Sequence, residues 1–147
     1  MHVRRATSAE ELQACLAIRR AVFIDEQNVP EQEELDELDA VCRHFLATPG
    51  KSSPLKEAIG TARILFLDDG TAKAQRVAVV KTQRQHGVGS ALMFAVEGEA
   101  ARAGLSVMIL SSQVSAIPFY ERLGYEAYGD LFVDAGIDHR MMRKNIL

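Results

Sequence analysis

Residues 77–92 read VAVVKTQRQHGVGSAL and predict an apolar strand, a loop and the start of a helix. Gly87 and Gly89 can adopt backbone conformations closed to other residues, and without side chains they let ligand oxygens approach the main chain. The first N–H groups of a helix have no internal partners and lie at the positive end of its dipole. Arg84 and His86 add cationic donors to the loop. The segment therefore predicts a site for a phosphate-bearing ligand.

The glycine spacing matches neither of two common nucleotide-binding motifs. A dinucleotide-binding loop has the pattern G-x-G-x-x-G, but Leu92 occupies the third glycine position. The phosphate loop of nucleotide hydrolases requires G-x-x-x-x-G-K-S/T, which this segment lacks. For the segment taken alone, an ordinary helix start with glycine in a tight turn is the alternative.

A second segment, QVSAIPFYERLGY at residues 113–125, follows the first. Together the two segments resemble the GCN5-related N-acetyltransferase (GNAT) superfamily. Its acetyl-CoA signature is a Val-Ala-Val strand followed by Gln/Arg-x-x-Gly-x-Gly/Ala, and Arg84, Gly87 and Gly89 match it by position. Its second motif carries Phe-Tyr on a helix that ends in a Leu-Gly-aromatic turn. Two motifs in this order and spacing are much more specific than either alone.

The N-terminal third resembles the ElaA and YjcF-like bacterial branch of that superfamily. The matching stretches are VFIDEQNVP at residues 22–30, D-x-x-D-A at 36–40 and RHFLA at 43–47. The resemblance covers nearly the whole chain and implies one N-acetyltransferase domain, residues 1–147. It also implies an α/β fold with a mixed, mostly antiparallel central sheet and flanking helices.

Local patterns predict the same order of elements. Ser8 and Glu11 form a capping box at the start of the first helix, and the sequence Asp-Asp-Gly before Thr71 predicts a hairpin turn. The predicted helices are residues 8–23, 31–38, 87–103 and 116–123. The predicted strands are residues 3–6, 43–48, 58–67, 71–80, 107–110, 126–128 and 138–143. Residues 107–110 are all apolar, as in a strand buried on both faces.

The resemblance implies that acetyl-CoA is the co-substrate. In this superfamily the two central strands separate, and the pantetheine arm pairs with the main chain exposed there, which by position is that of Val77, Ala78 and Val79. One of their amides would polarise the thioester carbonyl as an oxyanion hole does. Gln113 stands near an asparagine of many members that contacts pantetheine or a water. The amides that would hold the pyrophosphate are those of Arg84, Gln85, His86, Gly87, Val88, Gly89 and Ser90.

Tyr120 matches the tyrosine of the second motif, which implies that it protonates the departing coenzyme A thiolate. A phenol can act so because its reference pKa of about 10 lies only slightly above that of a thiol, about 8.5. The identity of the general base is undecided. Glu26, His44 and His139 are candidates, because they lie in or near the segments that resemble the ElaA and YjcF-like branch. A chain of water molecules is the alternative proton acceptor. Histidine titrates in the useful range, but each of these residues could equally be structural.

Residues 31–39, EQEELDELD, are strongly acidic. Beside a cleft they would concentrate a cationic acceptor, and Asp36 and Asp39 would be further candidates for the base. The alternative is a solvated helical face whose packed side carries Leu35 and Leu38.

Composition narrows the functional class. The net charge of −3 argues against general nucleic-acid binding, and no apolar run reaches the length of a membrane span. The first residues match neither a signal peptide nor a transit peptide, so a cytoplasmic location is expected. The two cysteines, Cys15 and Cys42, are expected to be small core residues rather than a disulfide framework, and no metal site is predicted.

The expected function is transfer of the acetyl group of acetyl-CoA to a primary amine, by direct attack in a ternary complex. The acceptor is a small molecule or a peptide amine, and the resemblance implies that a homodimer can form. A non-catalytic module that binds coenzyme A or an acyl-CoA is the main alternative, because the same loop would serve it. A structural protein with a fortuitous glycine loop is the third.

Overall fold

Seven segments of the chain form strands, and all of them belong to one sheet. The computed structural model describes all 147 residues. The strands are β1 (His2–Ala6), β2 (Arg43–Thr48), β3 (Gly60–Phe66), β4 (Thr71–Val79), β5 (Val107–Gln113), β6 (Glu126–Asp134) and β7 (Ile137–Asn145). Their order in the sheet is β1-β2-β3-β4-β5-β7-β6, and only β4 and β5 pair in parallel. The predicted mixed, mostly antiparallel α/β fold is confirmed.

Helices cover both faces of the sheet. They are α1 (Ala9–Arg19), α2 (Glu31–Glu34), α3 (Val88–Arg102) and α4 (Ile117–Arg122). The predicted capping box of α1 is present, because Ser8 accepts from the Glu11 amide and Glu11 accepts from the Ser8 amide. Short 3₁₀ turns occupy Glu37–Ala40, Leu55–Glu57, Lys81–Gln83 and Val114–Ala116. None of the helices combines the length and apolarity that crossing a bilayer requires.

A π-helical segment, Arg20–Glu26, continues α1 without a break. The sequence pattern predicts a single helix through Phe23 and gives no sign of the wider winding. Each turn of a π-helix holds more residues than an α-helical turn, so the segment changes which side chains face the sheet. Val22 is buried there, whereas Asp25 and Glu26 are exposed.

β4 carries a β-bulge opposite β3. The pairing shifts between Thr61 and Arg63, where Arg76 and Val77 of β4 lie opposite the single residue Ala62. Arg76 adopts φ +55°, in the left-handed region that residues with side chains rarely occupy. A bulge bends its strand and increases the local twist. The second half of β4 therefore runs in a different direction from the first half.

The bend opens a gap between β4 and β5. The two strands pair only where Thr71–Ala74 lies beside Val107–Leu110. Beyond that point Ser111–Gln113 of β5 pairs with β7 alone. Main-chain groups on the two facing edges therefore lack a strand partner, as the superfamily resemblance predicts.

The sheet separates two groups of buried side chains. The larger has 17 residues, and α3 contributes Val88, Leu92, Met93, Val96 and Ala100 to it. The smaller lies under α1 and consists of Cys15, Ile18, Val22, Leu46 and Ala78. Both cysteines are free thiols. Cys15 is the core residue that the sequence predicts, while Cys42 is only half-buried.

Two local predictions were wrong. Residues 31–38 are not one helix, because Leu35 is extended at ψ 127° and separates α2 from the 3₁₀ turn Glu37–Ala40. Leu35 is also exposed rather than packed. β5 runs on to Gln113, and only every second residue of it is buried. Only its last part, residues 110–113, borders a cavity.

Candidate active site

A cavity of about 840 Å³ lies at the gap between β4 and β5. Its walls come from the π-helical segment and α2, from β4, from the loop before α3, from the end of β5 with α4, and from β6 and β7. Its volume suits a small-molecule site. The predicted site residues that line it are Val77, Ala78, Val79, Arg84, Gln85, Gly87, Val88, Gly89, Ser90, Gln113, Tyr120 and His139. Glu26, His44 and His86 do not line it.

The loop before α3 presents main-chain donors to the cavity. Gln85 and Gly87 both adopt left-handed backbone conformations, with φ +66° and +83°. α3 then starts at Val88 with no side-chain cap. The N–H groups of residues 88–90 find no acceptor in the protein, since the first bond of the helix is from Ala91 to Gly87. Three free amides at a helix N-terminus can hold a phosphate, so the loop fits the predicted pyrophosphate site.

The two glycines of this loop serve different purposes. Gly87 has a left-handed conformation and open space around it. Gly89 is helical, and Phe119 of α4 fills the space beside it. The sequence interpretation assigned the missing side chain at Gly89 to ligand approach, but the packing of α4 also needs it.

Arg84 is held by a carboxylate. Its Nε donates to the Val79 carbonyl at 3.0 Å, and its two terminal nitrogens donate to the Glu26 carboxylate at 2.7 and 2.8 Å. The hydrogen bond from Arg84 lowers the pKa of Glu26, and the same bond raises the pKa of Arg84. A carboxylate in such a pair is a weak proton acceptor, so the geometry does not favour Glu26 as the base.

Tyr120 lines the cavity from α4. Its ring packs edge-to-face on Phe119 and on Tyr125, with centroid distances of 4.9 and 5.8 Å. The residue is 8% exposed, and burial raises the pKa of its phenol well above the usual range. Its hydroxyl makes no hydrogen bond within the protein, whereas that of Tyr125 donates to Glu97 at 2.6 Å. Tyr120 is therefore a neutral phenol with a donor free for a ligand.

His139 borders the cavity from β7, beside Gln113 at the end of β5. Its Nδ1 lies 2.7 Å from the Ile137 carbonyl oxygen, which can only accept, so the proton of a neutral ring is on Nδ1. Its ring stacks on Phe132 with a centroid distance of 5.7 Å. Gln113 in turn donates to Gln27 at 2.9 Å. These contacts leave Nε2 of His139 as the nitrogen that can accept a proton.

Only half of the acidic stretch is a solvated face, because Glu31, Glu33 and Glu37 are exposed. The other three carboxylates form a largely buried ion cluster with arginines from α1, β3 and β4. The members of the ion cluster are Arg19, Arg63, Arg76, Glu34, Asp36 and Asp39. Three positive and three negative side chains balance, so the cluster carries no net charge.

Asp36 and Asp39 are structural members of that cluster. The hydrogen bond from Arg63, at 2.7 Å, lowers the pKa of Asp36. Burial would raise the pKa of Asp39, but hydrogen bonds from Arg19 and Arg63 outweigh it and lower the pKa. His44 lies beside them, with Nε2 2.9 Å from the Asp39 carbonyl oxygen. None of the three lines the cavity, so their positions do not favour a role as the base.

Comparison with known proteins gives one consistent family. The family described as acetyltransferase (GNAT) domain matches residues 44–146. The uncharacterized N-acetyltransferase YjcF of Bacillus subtilis is 38% identical over 141 residues, which cover 95% of this chain and 96% of that protein.

Two crystal structures have the same fold. An acyl-CoA N-acyltransferase from Pseudomonas aeruginosa superimposes with a TM-score of 0.82 at 28% identity, covering 97% of each chain. Escherichia coli ElaA superimposes with a TM-score of 0.79 at 26% identity, covering 98% of this chain and 99% of that one.

Proposed function

This chain belongs to the GNAT acetyltransferase family, and from that membership we propose that it transfers the acetyl group of acetyl-CoA to a primary amine. The gap between β4 and β5 is the observation that carries the proposal. It leaves main-chain groups of two strands without partners at the wall of a cavity that also contains a buried phenol. An extended amide-bearing arm such as pantetheine would satisfy those groups.

In this proposal the donor lies along β4 and the loop before α3. Free amides of residues 88–90 bind the pyrophosphate, with those of residues 85–87 around it. The Arg84 amide, which the sequence also assigned to this role, already donates to the Lys81 carbonyl at 3.5 Å. Main-chain groups of Val77, Ala78 and Val79 bind the pantetheine arm, and Gln113 closes the opposite edge. For Arg84 to reach a phosphate oxygen, its guanidinium would have to release Glu26.

His139 is the base of the proposed reaction. Nε2 takes a proton from the acceptor ammonium, and the neutral amine attacks the thioester carbon in the ternary complex. A main-chain N–H of β4 stabilises the negative charge that develops on the carbonyl oxygen. As the carbon–sulfur bond breaks, the Tyr120 hydroxyl gives its proton to the coenzyme A thiolate. The nitrogen loses its second proton as the amide forms, and this proton restores the Tyr120 phenol. The products are the N-acetylated amine and coenzyme A in its thiol form, and His139 holds the proton of the ammonium.

Two measurements test the proposal. Acetyl-CoA at 100 times its dissociation constant should raise the unfolding free energy by about 2.7 kcal/mol, and a protein with no such stabilisation does not bind this donor. Release of free thiol from acetyl-CoA should depend on added amine across a panel of amino acids, polyamines, amino sugars and peptides. Stabilisation without amine-dependent thiol release from any of them would instead favour a coenzyme A-binding module.

A further inference from the structure

One carboxylate oxygen at the cavity wall has no partner. Glu34 is 2% exposed and lines the cavity. Its Oε1 accepts a hydrogen bond from Arg19 Nε at 2.6 Å and lies 3.4 Å from Arg76 Nε. Its Oε2 is buried and has no hydrogen-bond partner. Leaving a buried charged oxygen unbonded is costly, so a donor from a ligand in the cavity would be stabilising.

Donors that carry a positive charge form the strongest hydrogen bonds to a carboxylate oxygen. Glu34 is the third carboxylate of the ion cluster, against its three arginines. Arg76, the lining cation next to Glu34, donates to the carbonyl oxygens of Glu33 and Glu34 and to Asp36, rather than to Oε2. A second buried polar atom without a partner, Ser111 Oγ, belongs to another residue of the same cavity wall.

We propose that Glu34 Oε2 binds a positively charged group of the acceptor, and that this group is not the nitrogen that is acetylated. The inference rests on the proposed function and names the acceptor class within it. The reacting nitrogen must lose a proton before it attacks, and a carboxylate bound to it would favour its protonated form. The group held by Glu34 is therefore a second cation, which keeps its charge throughout the reaction. Diamines and compounds with an amine and a guanidinium have this chemistry.

The first test compares two substrates of equal length on the unaltered protein. 1,4-Diaminobutane carries a second ammonium where 4-amino-1-butanol carries a neutral hydroxyl. A hydrogen bond between charged groups should give the diamine an advantage of roughly 10-fold to 100-fold in kcat/KM. Equal values for the two substrates would overturn the inference, and this result does not depend on the folding of any variant.

The second test removes the charge of Glu34 and keeps its shape. In Glu34→Gln the advantage of the diamine should fall to within about 3-fold, because an amide offers the cation no charge. Glu37→Gln is the matched control, since Glu37 is an exposed carboxylate of the same segment outside the ion cluster. The control should keep the full preference. If both variants lose the preference for the diamine equally, that preference comes from the overall negative charge of the segment and not from a bond to Glu34. This result would contradict the inference.

Direct binding separates this inference from the proposed function. Calorimetric titration of 1,4-diaminobutane into protein without acetyl-CoA should show binding that weakens at least 10-fold in Glu34→Gln. No binding by the unaltered protein, or unchanged binding by the variant, would overturn the inference while thiol release with other amines could still support acetyl transfer. Glu34-dependent binding without thiol release from any amine would support the cation site and contradict the proposed function.

Discussion

The ring of Phe119 closes the space beside Gly89, with its Cζ atom 3.0 Å from where a Cβ at residue 89 would lie. This contact joins the first turn of α3, which offers the free amides, to α4, which carries Tyr120 next to Phe119 in the chain. The two sequence motifs are therefore in direct contact. Small changes at one of them should displace the other.

Gly89→Ala should weaken the enzyme through α4. The new methyl group would push the Phe119 ring away, at a cost of about 1–3 kcal/mol in unfolding free energy, and would displace Tyr120 with it. Denaturant unfolding and thiol-release assays measure the two effects. Gly98→Ala lies in the same helix, where the added Cβ meets the flexible end of Arg102. This control should raise stability by up to about 1 kcal/mol.

A double variant checks the cause of the Gly89→Ala effect. Replacing Phe119 by leucine should recover part of the lost stability and turnover, because the smaller side chain leaves room for the methyl group. A double variant that shows the simple sum of the two single losses would mean that Gly89 acts in some other way.

Tyr120→Phe should lower turnover by roughly 10² or more, with little change in acetyl-CoA affinity, because the variant keeps the ring and loses only the proton donor. Steady-state kinetics and thermal melting with acetyl-CoA measure the two quantities. Tyr125→Phe is the control, since that hydroxyl bonds Glu97 and does not reach the cavity. It should lose stability and keep its turnover. Full activity in Tyr120→Phe would remove the phenol from the mechanism.

His139→Asn should lower kcat by roughly 10² or more near neutral pH. Acetyl-CoA affinity should be kept, because the variant removes the proton acceptor and leaves the main-chain contacts of the donor in place. His44→Asn should lose stability while retaining kcat, because His44 does not line the cavity. An unchanged kcat in His139→Asn would point to water as the proton acceptor.

Glu11 should make folding sensitive to acid. The hydrogen bond from Arg4, with those from the amides of Thr7 and Ser8, lowers the pKa of Glu11 from 4.5 to about 2. A carboxyl with a lowered pKa stabilises the fold above the pKa of the unfolded chain, and this stability is lost as pH falls from about 5 toward 2.

The charge of Glu11 can be removed without changing its shape. In Glu11→Gln the difference in unfolding free energy between pH 7 and pH 3 should shrink by roughly 2 kcal/mol, as urea titrations at the two pH values would measure. Glu10→Gln should leave that difference unchanged, because Glu10 is exposed and makes no hydrogen bond through its side chain. If this difference in unfolding free energy is the same in the unaltered protein and in both variants, the proposed role of Glu11 is contradicted.

Structural features that depend on a few neighbouring residues were predicted well. The capping box of Ser8, the strand Arg43–Thr48 and the turn at Gly70 depend on neighbours in sequence, and each is observed. The two motif segments were recognisable because their residues match the signature of the GNAT family in order and spacing. Ser111 was missed because the apolar run that predicts β5 ends at Leu110, although the strand continues.

The ion cluster could not be predicted, because its members are distant in the chain. Arg19, Arg63 and Arg76 come from three elements, and nothing local marks them as partners of the acidic stretch. The left-handed conformation of Arg76 could not be predicted either, because glycine is the residue that usually indicates such a conformation in a sequence. These features depend on packing between distant segments.

The bulge at Arg76 also reverses which face of the sheet the even-numbered residues of β4 point to. Before it, the even-numbered Ala72 and Ala74 point into the larger core, whereas after it the even-numbered Ala78 points into the smaller core under α1. One strand thus supplies small side chains to opposite faces of the sheet. Loss or gain of a single residue at this point would exchange the two faces for every position that follows.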